Sequence, residues 1–387
     1  MYQCVNRDDL KPGMFVVSYG LGTFDLPLVK VAAFLACPTE INTLIPPDAE
    51  HVLIDGSKTG CAAAAADAPP APARSSLREE LVIARQMHSD ALVYVKQFMR
   101  DVRRGTDINC GEAASLVERF VESVLRNDTA AVTLFKLRDF DEYTYTHSIN
   151  VSILAVLLGR HLGMGKCSLL KLGLAGLMHD AGKEFVPPHI LNKPGKLTSN
   201  EFLVIKAHPL DGYNLLRKQD DMPVDVLQAV LEHHERHDGS GYPRGARADS
   251  IGLYSRILAI VDVYDALTSK RVYKKALPPA KALSLMYTMR DTQFSADDID
   301  NFIRCIGVFP VGSFVRLSGG EFGIVSSTND VRPTKPEVKV ILDSSMCPRR
   351  PCILDLEALE GTPEAQDIAE VLSPDEHRID LEHYLFT

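Results

Sequence analysis

GLMHDAGK at Gly176–Lys183 and HHERHDGSGYP at His233–Pro243 are the stretches on which the reading of this chain turns. In the first, an apolar run with helical character ends in a His-Asp doublet. In the second, a His-His doublet runs straight into a glycine-punctuated loop. Working outward, His147 precedes them, His208 lies between them and Asp262 follows. Imidazole and carboxylate are the ligands that hold first-row transition metals at catalytic sites. Neighbouring helix residues point ~100° apart, so His179 and Asp180 cannot both pack on one apolar face. One geometry uses both, with Asp180 bridging two ions and His179 on one of them. A lone histidine is ordinarily a satisfied core or surface group. A set of this size in the right chemical classes, within one region, is not.

Basic residues follow the motifs. Lys183, a short turn past the His-Asp doublet, is placed to hold a phosphate oxygen as a point charge, against the plainer alternative of a solvated lysine. Arg271 and Lys274, three apart, share a helix face and suit a second phosphate, against the alternative of an ordinary basic helix end. Tyr242 suits a contact to a base or phosphate, or simple loop packing.

Around this centre the patterning is helical. Leu81, Ile83, Met87, Leu92, Val95 and Phe98 recur at helical spacing in a connector over 77–135, whose second helix, around Ala113–Leu125, carries Leu116, Phe120 and Val124. Residues 141–308 continue as helices, within a domain over 136–308. Thr198-x-x-Glu201 predicts a capping box at the start of the helix carrying His208, and Pro209 should kink or end that helix. Pro223 suits the first turn of the helix that ends with His233-His234, and Gly239 lies beyond its stop. The flanks differ. Residues 1–60 hold β-prone segments at Met14–Val17, Val29–Phe34 and His51–Ile54 between Pro/Gly turns. CAAAAADAPPAPARSS (Cys61–Ser76) reads as an Ala/Pro linker over 61–76. Residues 309–387 open with hairpin material at Val311–Ser327 and Pro336–Leu342, with Gly319-Gly320 at a turn, and close in an acidic end of no clear pattern. The expected fold is mainly α, with small β-rich N-terminal and C-terminal subdomains.

At 387 residues the chain has room for two or three domains, each with its own core. Its net charge of −9 argues against nucleic acid as the main partner, so an anionic small molecule would need local positive charge. The N-terminal MYQCVNRDDLKPGMF lacks the pattern of a secretory signal, and the most apolar run, Ile149–Leu158, falls short of the ~20 residues of a membrane span. Cysteines at 4, 37, 61, 110, 167, 305, 347 and 352 form no CxxC pair. Reduced thiols in a cytoplasmic protein are expected.

The motifs resemble the HD-GYP family, bacterial cyclic di-GMP phosphodiesterases within the HD superfamily of metal-dependent phosphohydrolases. The matching stretches are YTYTHSINV (Tyr143–Val151), GLMHDAGK, VPPHILNKPGKLT (Val186–Thr198), AHPLDGY (Ala207–Tyr213), HHERHDGSGYP and DVYDALTSKRVYKK (Asp262–Lys275). The resemblance implies an all-helical HD-type bundle with two divalent cations, iron or manganese. Their ligands would be His147, His179, Asp180, His208, His233, His234 and Asp262. Asp180, His179 and Lys183 would carry the chemistry. Lys183, Arg271, Lys274 and Asp141 would contact substrate, and Gly241, Tyr242 and Pro243 would line the pocket. DLKPGMFV (Asp9–Val17) and VLIDGSKTG (Val52–Gly60) resemble the small domain often found ahead of HD-GYP domains, and FPVGSFVRLSGGEFGIV (Phe309–Val325) is similar to an extension that often closes them.

One departure is informative. Family members with three metals carry a glutamate four residues before the first histidine; here that residue is Tyr143, a poor ligand while its phenol is protonated, and Glu142 is one residue off. Two ions are expected, with hydrolysis by a metal-bridging hydroxide to linear pGpG and the further step to GMP left open. The alternatives are a hydrolase of another cyclic dinucleotide and a module that works by protein–protein interaction. Diguanylate cyclases or other signalling proteins are candidate partners, and a dimer is compatible with the reading.

Overall fold

The computed structural model describes the chain apart from residues 1, 12–13, 22–28, 35–40, 42–44, 46–48, 56–76, 107, 128–142, 220–221, 270–275, 330–331, 373, 375–376, 378, 380–383 and 385–387. Two compact units are present: Met1–Ala73 with Gly159–Leu169, and Arg74–Leu158 with Leu170–Thr387.

The first unit carries an antiparallel sheet of β1 (Tyr2–Val5), β2 (Phe15–Leu21), β3 (Val29–Phe34) and β4 (Ala49–Asp55) in the order β1-β4-β2-β3. Val16, Val52 and Ile54 form its core with Leu10, Ile45 and Ala49. The three β-prone segments read from the sequence are strands β2 to β4. The Cys61–Ser76 linker lies outside the described residues.

The helices follow in the second unit. The pattern over 77–135 resolves into α1 (Leu77–Arg104) and α2 (Cys110–Arg126), separated at Gly105, which takes φ +65°, and restarted at Asn109, whose side chain caps Glu112 N. The two pack through Met87, Val95, Phe98, Leu116, Phe120 and Val124, all buried. Buried Glu80 ties them further, accepting from Ser123 Oγ at 2.7 Å and pairing with Arg126 at 2.9 Å.

Helices α3 (Tyr143–His161) and α4 (Lys166–Met178) carry almost no polar face over the residues that pack in this unit, as expected of helices at the centre of a bundle. Their close approach is set by small residues. A Cβ on Gly176 would stand 2.8 Å from Ser152 Cα, and one on Gly173 would stand 2.8 Å from Val156 Cγ2. Ser152 Oγ donates to Gly173 O at 2.7 Å across this contact. This contact brings the end of α4, where the His-Asp doublet sits, alongside the turn of α3 that carries His147.

After a 3-10 turn at Ala181–Phe185 come α5 (Pro188–Leu191), α6 (Ser199–Ile205), α7 (His208–Leu216) and α8 (Val224–Glu232). Thr198 and Glu201 form the expected capping box, and Lys193 pairs with Glu201 at 2.7 Å. Hydrogen bonds from Lys193 first, then from Thr198 N, hold the Glu201 carboxyl down to about 2. The helix so capped is shorter than expected. It ends at Ile205, and His208 opens a new helix with Pro209 in its first turn, where a missing N–H costs nothing. Pro223 is the N-cap of α8 rather than part of its first turn, and that helix stops at Glu232 with His233 as its C-cap. Helices α9 (Leu253–Thr268), α10 (Pro279–Tyr287) and α11 (Ala296–Ile306) close the bundle, with Tyr264 and Phe302 edge-on at 5.1 Å between ring centres.

Residues 314–372 form a second antiparallel sheet, β5 (Phe314–Leu317), β6 (Phe322–Ser327), β7 (Glu337–Leu342), β8 (Pro348–Asp355) and β9 (Ile368–Leu372), in the order β8-β7-β6-β5-β9. β5 and β6 are the expected hairpin, turning at Gly320, which takes φ +95°. One face buries Val315, Val325, Val338 and Val340, and the other buries Phe314, Ile324 and Ile341. Strands β8 and β9 went unread in the sequence. β8 is largely exposed at the sheet edge and shows no clean alternation of apolar residues. The chain is thus mainly helical with a small sheet toward each end. No helix among the described residues is long and apolar enough to cross a membrane.

Candidate metal centre

The histidines of the set stand mostly at helix ends, and that placement fixes their chemistry. His179 follows the last residue of α4, His233 follows the last residue of α8, and His208 follows the break after α6. The last carbonyls of a helix have no intrahelical donor. Each of these imidazoles supplies one: His179 Nδ1 to Gly176 O, His208 Nδ1 to Ile205 O and His233 Nδ1 to Val230 O, all at 2.7 Å. A carbonyl only accepts, so Nδ1 carries the proton and Nε2 is left with a lone pair. His147, in the second turn of α3, is aimed by another partner, with Nδ1 2.7 Å from Asp265 Oδ2. Four imidazoles therefore turn Nε2 toward a common centre.

Asp180 occupies that centre, and its two oxygens face different histidines. Oδ1 lies 3.3 Å from His208 Nε2 and 3.8 Å from His233 Nε2. Oδ2 lies 3.3 Å from His179 Nε2 and 3.6 Å from His147 Nε2. Asp262, on α9, stands 3.1 Å from His147 Nε2 and, through its other oxygen, 3.9 Å from His234 Nδ1. The donors sort into His208–His233–His234 and His147–His179–Asp262, the atoms of each triad lying within 4.8 Å of one another. Asp180 sits between them, forming a further such group with His179 and His233.

These donors suit cations. His179 Nε2 and Asp180 Oδ1 are buried without a hydrogen-bond partner, which is costly unless something positive completes them. His208 Nε2 and His233 Nε2 stand 3.2 Å apart, two lone pairs face to face. Burial, with the neighbouring imidazoles, pushes His233 well below the usual histidine range and His234 down to about 3, so both are neutral and able to ligate at pH 7. Burial works against ionisation of Asp180 and Asp262, but the surrounding imidazoles, with Lys183 beside Asp180, hold both carboxyls well below the usual range. Burial likewise opposes a proton on His147, yet Asp262 and Asp265 outweigh it and lift that group to about 9, so a cation at Nε2 would take the place of the proton shared there with Asp262.

Asp265 escaped the sequence reading. It lies one helical turn past Asp262 on α9 and is fully buried; it accepts from His147, from Asn150 Nδ2 at 2.9 Å and from Ser269 Oγ at 3.1 Å. The signal was available, since an aspartate three residues from a candidate ligand shares its helix face. It is a positioning residue, fixing the tautomer and aim of His147 as carboxylates behind metal-bound histidines do. Asp265→Ala should weaken metal affinity 10–100-fold, and Asp265→Asn, which keeps an acceptor oxygen, should lose less. Chelator competition measures this, and an unchanged affinity in the alanine variant sinks the orienting role.

The glycine-punctuated loop folds back over the histidine pair. Glu235, buried, accepts from Arg244 N at 2.7 Å and Ala246 N at 3.0 Å, and Tyr242 N donates to His234 O at 3.1 Å. A Cβ on Gly241 would meet Arg236 N at 2.4 Å, so only glycine lets the loop close this tightly. Tyr242 is thereby laid 4.8 Å from the His234 ring. Burial, then the charges of Asp180 and Asp262, push its phenol up and keep it protonated. Pro243 is exposed beside it. Lys183 Nζ reaches Asp180 Oδ2 at 2.5 Å and remains about a quarter exposed, facing the same centre. Asp141, Glu142, Arg271 and Lys274 lie outside the described residues.

An HD-domain family model matches residues 129–297, and a model described only as a domain of unknown function (DUF3391) matches residues 3–113. The cyclic di-GMP phosphodiesterase PA4108 of Pseudomonas aeruginosa is 38% identical over 348 residues, covering 87% of this chain and 84% of that protein. The chain belongs to the HD-GYP phosphodiesterase family. This HD-GYP protein also resembles the 3'3'-cGAMP-specific phosphodiesterase 1 of Vibrio cholerae, 41% identical over 145 residues, which are 38% of this chain and 33% of the relative. Among solved structures, Bd1817, an HDG"Y"P protein from Bdellovibrio bacteriovorus, matches with a TM-score of 0.50 at 14% identity, over 78% of this chain and 98% of Bd1817. That likeness is one of fold. The HD-GYP protein has the metal dependence of the HD domain, and its His/Asp cluster is suited to hold metal.

Proposed function

We propose that this HD-GYP protein hydrolyses cyclic di-GMP to linear pGpG, with two divalent cations, iron or manganese, in the cluster. The observation that carries the reading is the division of Asp180, one oxygen toward His208 and His233 and the other toward His147 and His179. His147, His179 and Asp262 would hold one cation, His208, His233 and His234 the other, and Asp180 both. Two such cations, when bound, supply Lewis acidity to the phosphodiester and lower the pKa of water near them.

The chain's own residues do the rest. Lys183 is directed at the centre on a flexible stem, placed to exchange its contact with Asp180 for a substrate phosphoryl oxygen as charge builds there. Asp265 keeps the His147 proton on Nδ1 and its lone pair inward. Tyr242, protonated and set against His234, shields that side of the centre from water and presents its ring to the substrate, with Gly241 and Pro243 shaping the wall around it. Arg271, Lys274 and Asp141 complete the substrate contacts in this reading. Tyr143, the first residue of α3 and one turn before His147, brings no carboxylate at that position, which favours two cations and release of pGpG. The reading places the protein in the cytoplasm as the HD-GYP domain of a signalling system, with residues 1–60, a linker over 61–76 and a connector over 77–135 ahead of it and 309–387 behind.

The test is direct. Protein loaded anaerobically with Fe(II) or Mn(II) should convert cyclic di-GMP to pGpG, resolved by chromatography. Metal-replete protein that leaves the dinucleotide intact overturns the reading, and accumulation of GMP overturns the two-cation part. The likeness to a cGAMP-specific enzyme favours a second reading, in which a mixed guanine–adenine cyclic dinucleotide is the better substrate. Side-by-side kcat/KM values decide between them.

A further inference from the structure

Helix α6 presents an apolar sequence to no core. Its residues include Phe202, Leu203, Val204 and Ile205, and none of the helix is buried; Phe202 is 44% exposed. Phe202, Leu203 and Val204 all lie open to solvent, and of these Phe202 is the one set against a residue of the metal-centre loop, Tyr242. Nor is the helix loosely held, because the Thr198–Glu201 capping box and the Lys193–Glu201 ion pair fix its first turn, and a second helix begins two residues after its end.

The Phe202 ring is continuous with the metal centre. It stands edge-on to Tyr242 at 6.5 Å between ring centres and 80° between planes, and Tyr242 in turn lies 4.8 Å from His234. Lys206 lies over both rings, its Nζ 5.0 Å from the Phe202 ring centre and 4.9 Å from that of Tyr242. An exposed aromatic ring, an ammonium on a flexible stem over one of its faces and a phosphate-suited centre two ring steps away together describe the surroundings of one nucleotide, whose base takes the ring face as the lysine swings to the base's edge.

On the strength of the phosphodiesterase reading above, we infer that Phe202 and Lys206, beside Tyr242, form a base-binding platform that selects guanine in the cyclic dinucleotide. Stacking on Phe202 supplies affinity without choosing among bases, since every base has a π-face. The choice falls to Lys206. Guanine presents two acceptors, O6 and N7, on its exposed edge, whereas adenine presents a donor, the N6 amino group, beside N7. A three-donor ammonium therefore matches guanine at both atoms and opposes adenine at one.

The experiment compares kcat/KM for cyclic di-GMP, cyclic di-AMP and the base-free diester bis(p-nitrophenyl) phosphate on full-length, metal-loaded protein. Phe202→Ala should lower the ratio of cyclic di-GMP to base-free diester about 5- to 150-fold, the range that loss of one stacked base corresponds to. Phe202→Trp should restore it, an outcome a purely structural role for Phe202 does not give. Lys206→Met should cut the preference for cyclic di-GMP over cyclic di-AMP by at least about 5-fold. Equal losses on all three substrates, an unchanged ratio in Phe202→Ala, or an unchanged base preference in Lys206→Met overturns the platform while leaving the phosphodiesterase reading standing. Wild-type protein that cleaves the base-free diester and ignores cyclic di-GMP overturns both.

Discussion

Asp180→Ala should leave the protein folded, release most of its metal and reduce cyclic di-GMP hydrolysis by at least about 10³-fold, equivalent to ~4 kcal/mol of transition-state stabilisation. The size follows from position. Asp180 touches both histidine sets, so its removal takes a ligand from each triad at once. Folding should survive because the carboxylate is buried and one of its oxygens has no hydrogen-bond partner, so alanine leaves less unsatisfied polarity behind. Asp180→Asn is the sharper probe. An amide keeps one oxygen but turns an NH2 group toward the other histidine set, so metal content should fall toward one ion per chain, with activity lost. Elemental analysis beside single-turnover assays reads both quantities. Asp180→Asn protein that keeps two ions per chain and full activity would falsify the bridging assignment.

Gly182→Ala should destabilise the fold by at least ~3 kcal/mol, at or above the upper end of ordinary overpacking. A Cβ there would lie 2.0 Å from His208 O and 2.6 Å from Gly212 N, both backbone atoms of α7 that cannot rotate away. The 3-10 turn would have to lift from α7, carrying Asp180 and Lys183 on one side away from His208 on the other. Loss of stability and loss of metal should therefore appear together. Gly165→Ala is the control, since no atom lies within 4 Å of its added Cβ, and a change within ~0.5 kcal/mol is expected. Denaturant melts of the two variants settle the matter, and a Gly182→Ala midpoint matching wild type would show that the turn is not held as described.

The cluster was legible in the sequence because ligation depends on residue type. Imidazoles and carboxylates at His147, His179, Asp180, His208, His233, His234 and Asp262 are conspicuous among apolar neighbours, and the structure gathers them all in one place. Their orientation was harder to read. His179 and His233 were expected near helix ends and His208 within a helix, whereas His208 opens a new one; at all three the free carbonyl of a helix end accepts from Nδ1. The interruption between Ile205 and His208 was half visible: Pro209 forecast a break, but one placed at the histidine rather than ahead of it. Asp265 was hidden by its ordinary appearance, since only the approach of α3 to α9 reveals which nitrogen it holds. Strand β8 was hidden for a different reason: an edge strand largely open to solvent need not alternate.

The three histidine-to-carbonyl bonds bind the fate of the metal centre to that of the helices that end in it. Fraying of the last turn of α4, α6 or α8 frees the carbonyl that fixes a ring, and with it the aim of a ligand. Reciprocity follows from linkage: whatever occupies the centre must stiffen those helix ends by the same free energy with which their order favours its entry. Metal scarcity would then act on this enzyme twice, by emptying the catalytic centre and by loosening the scaffold around it, so that starved molecules become the ones most exposed to proteolysis.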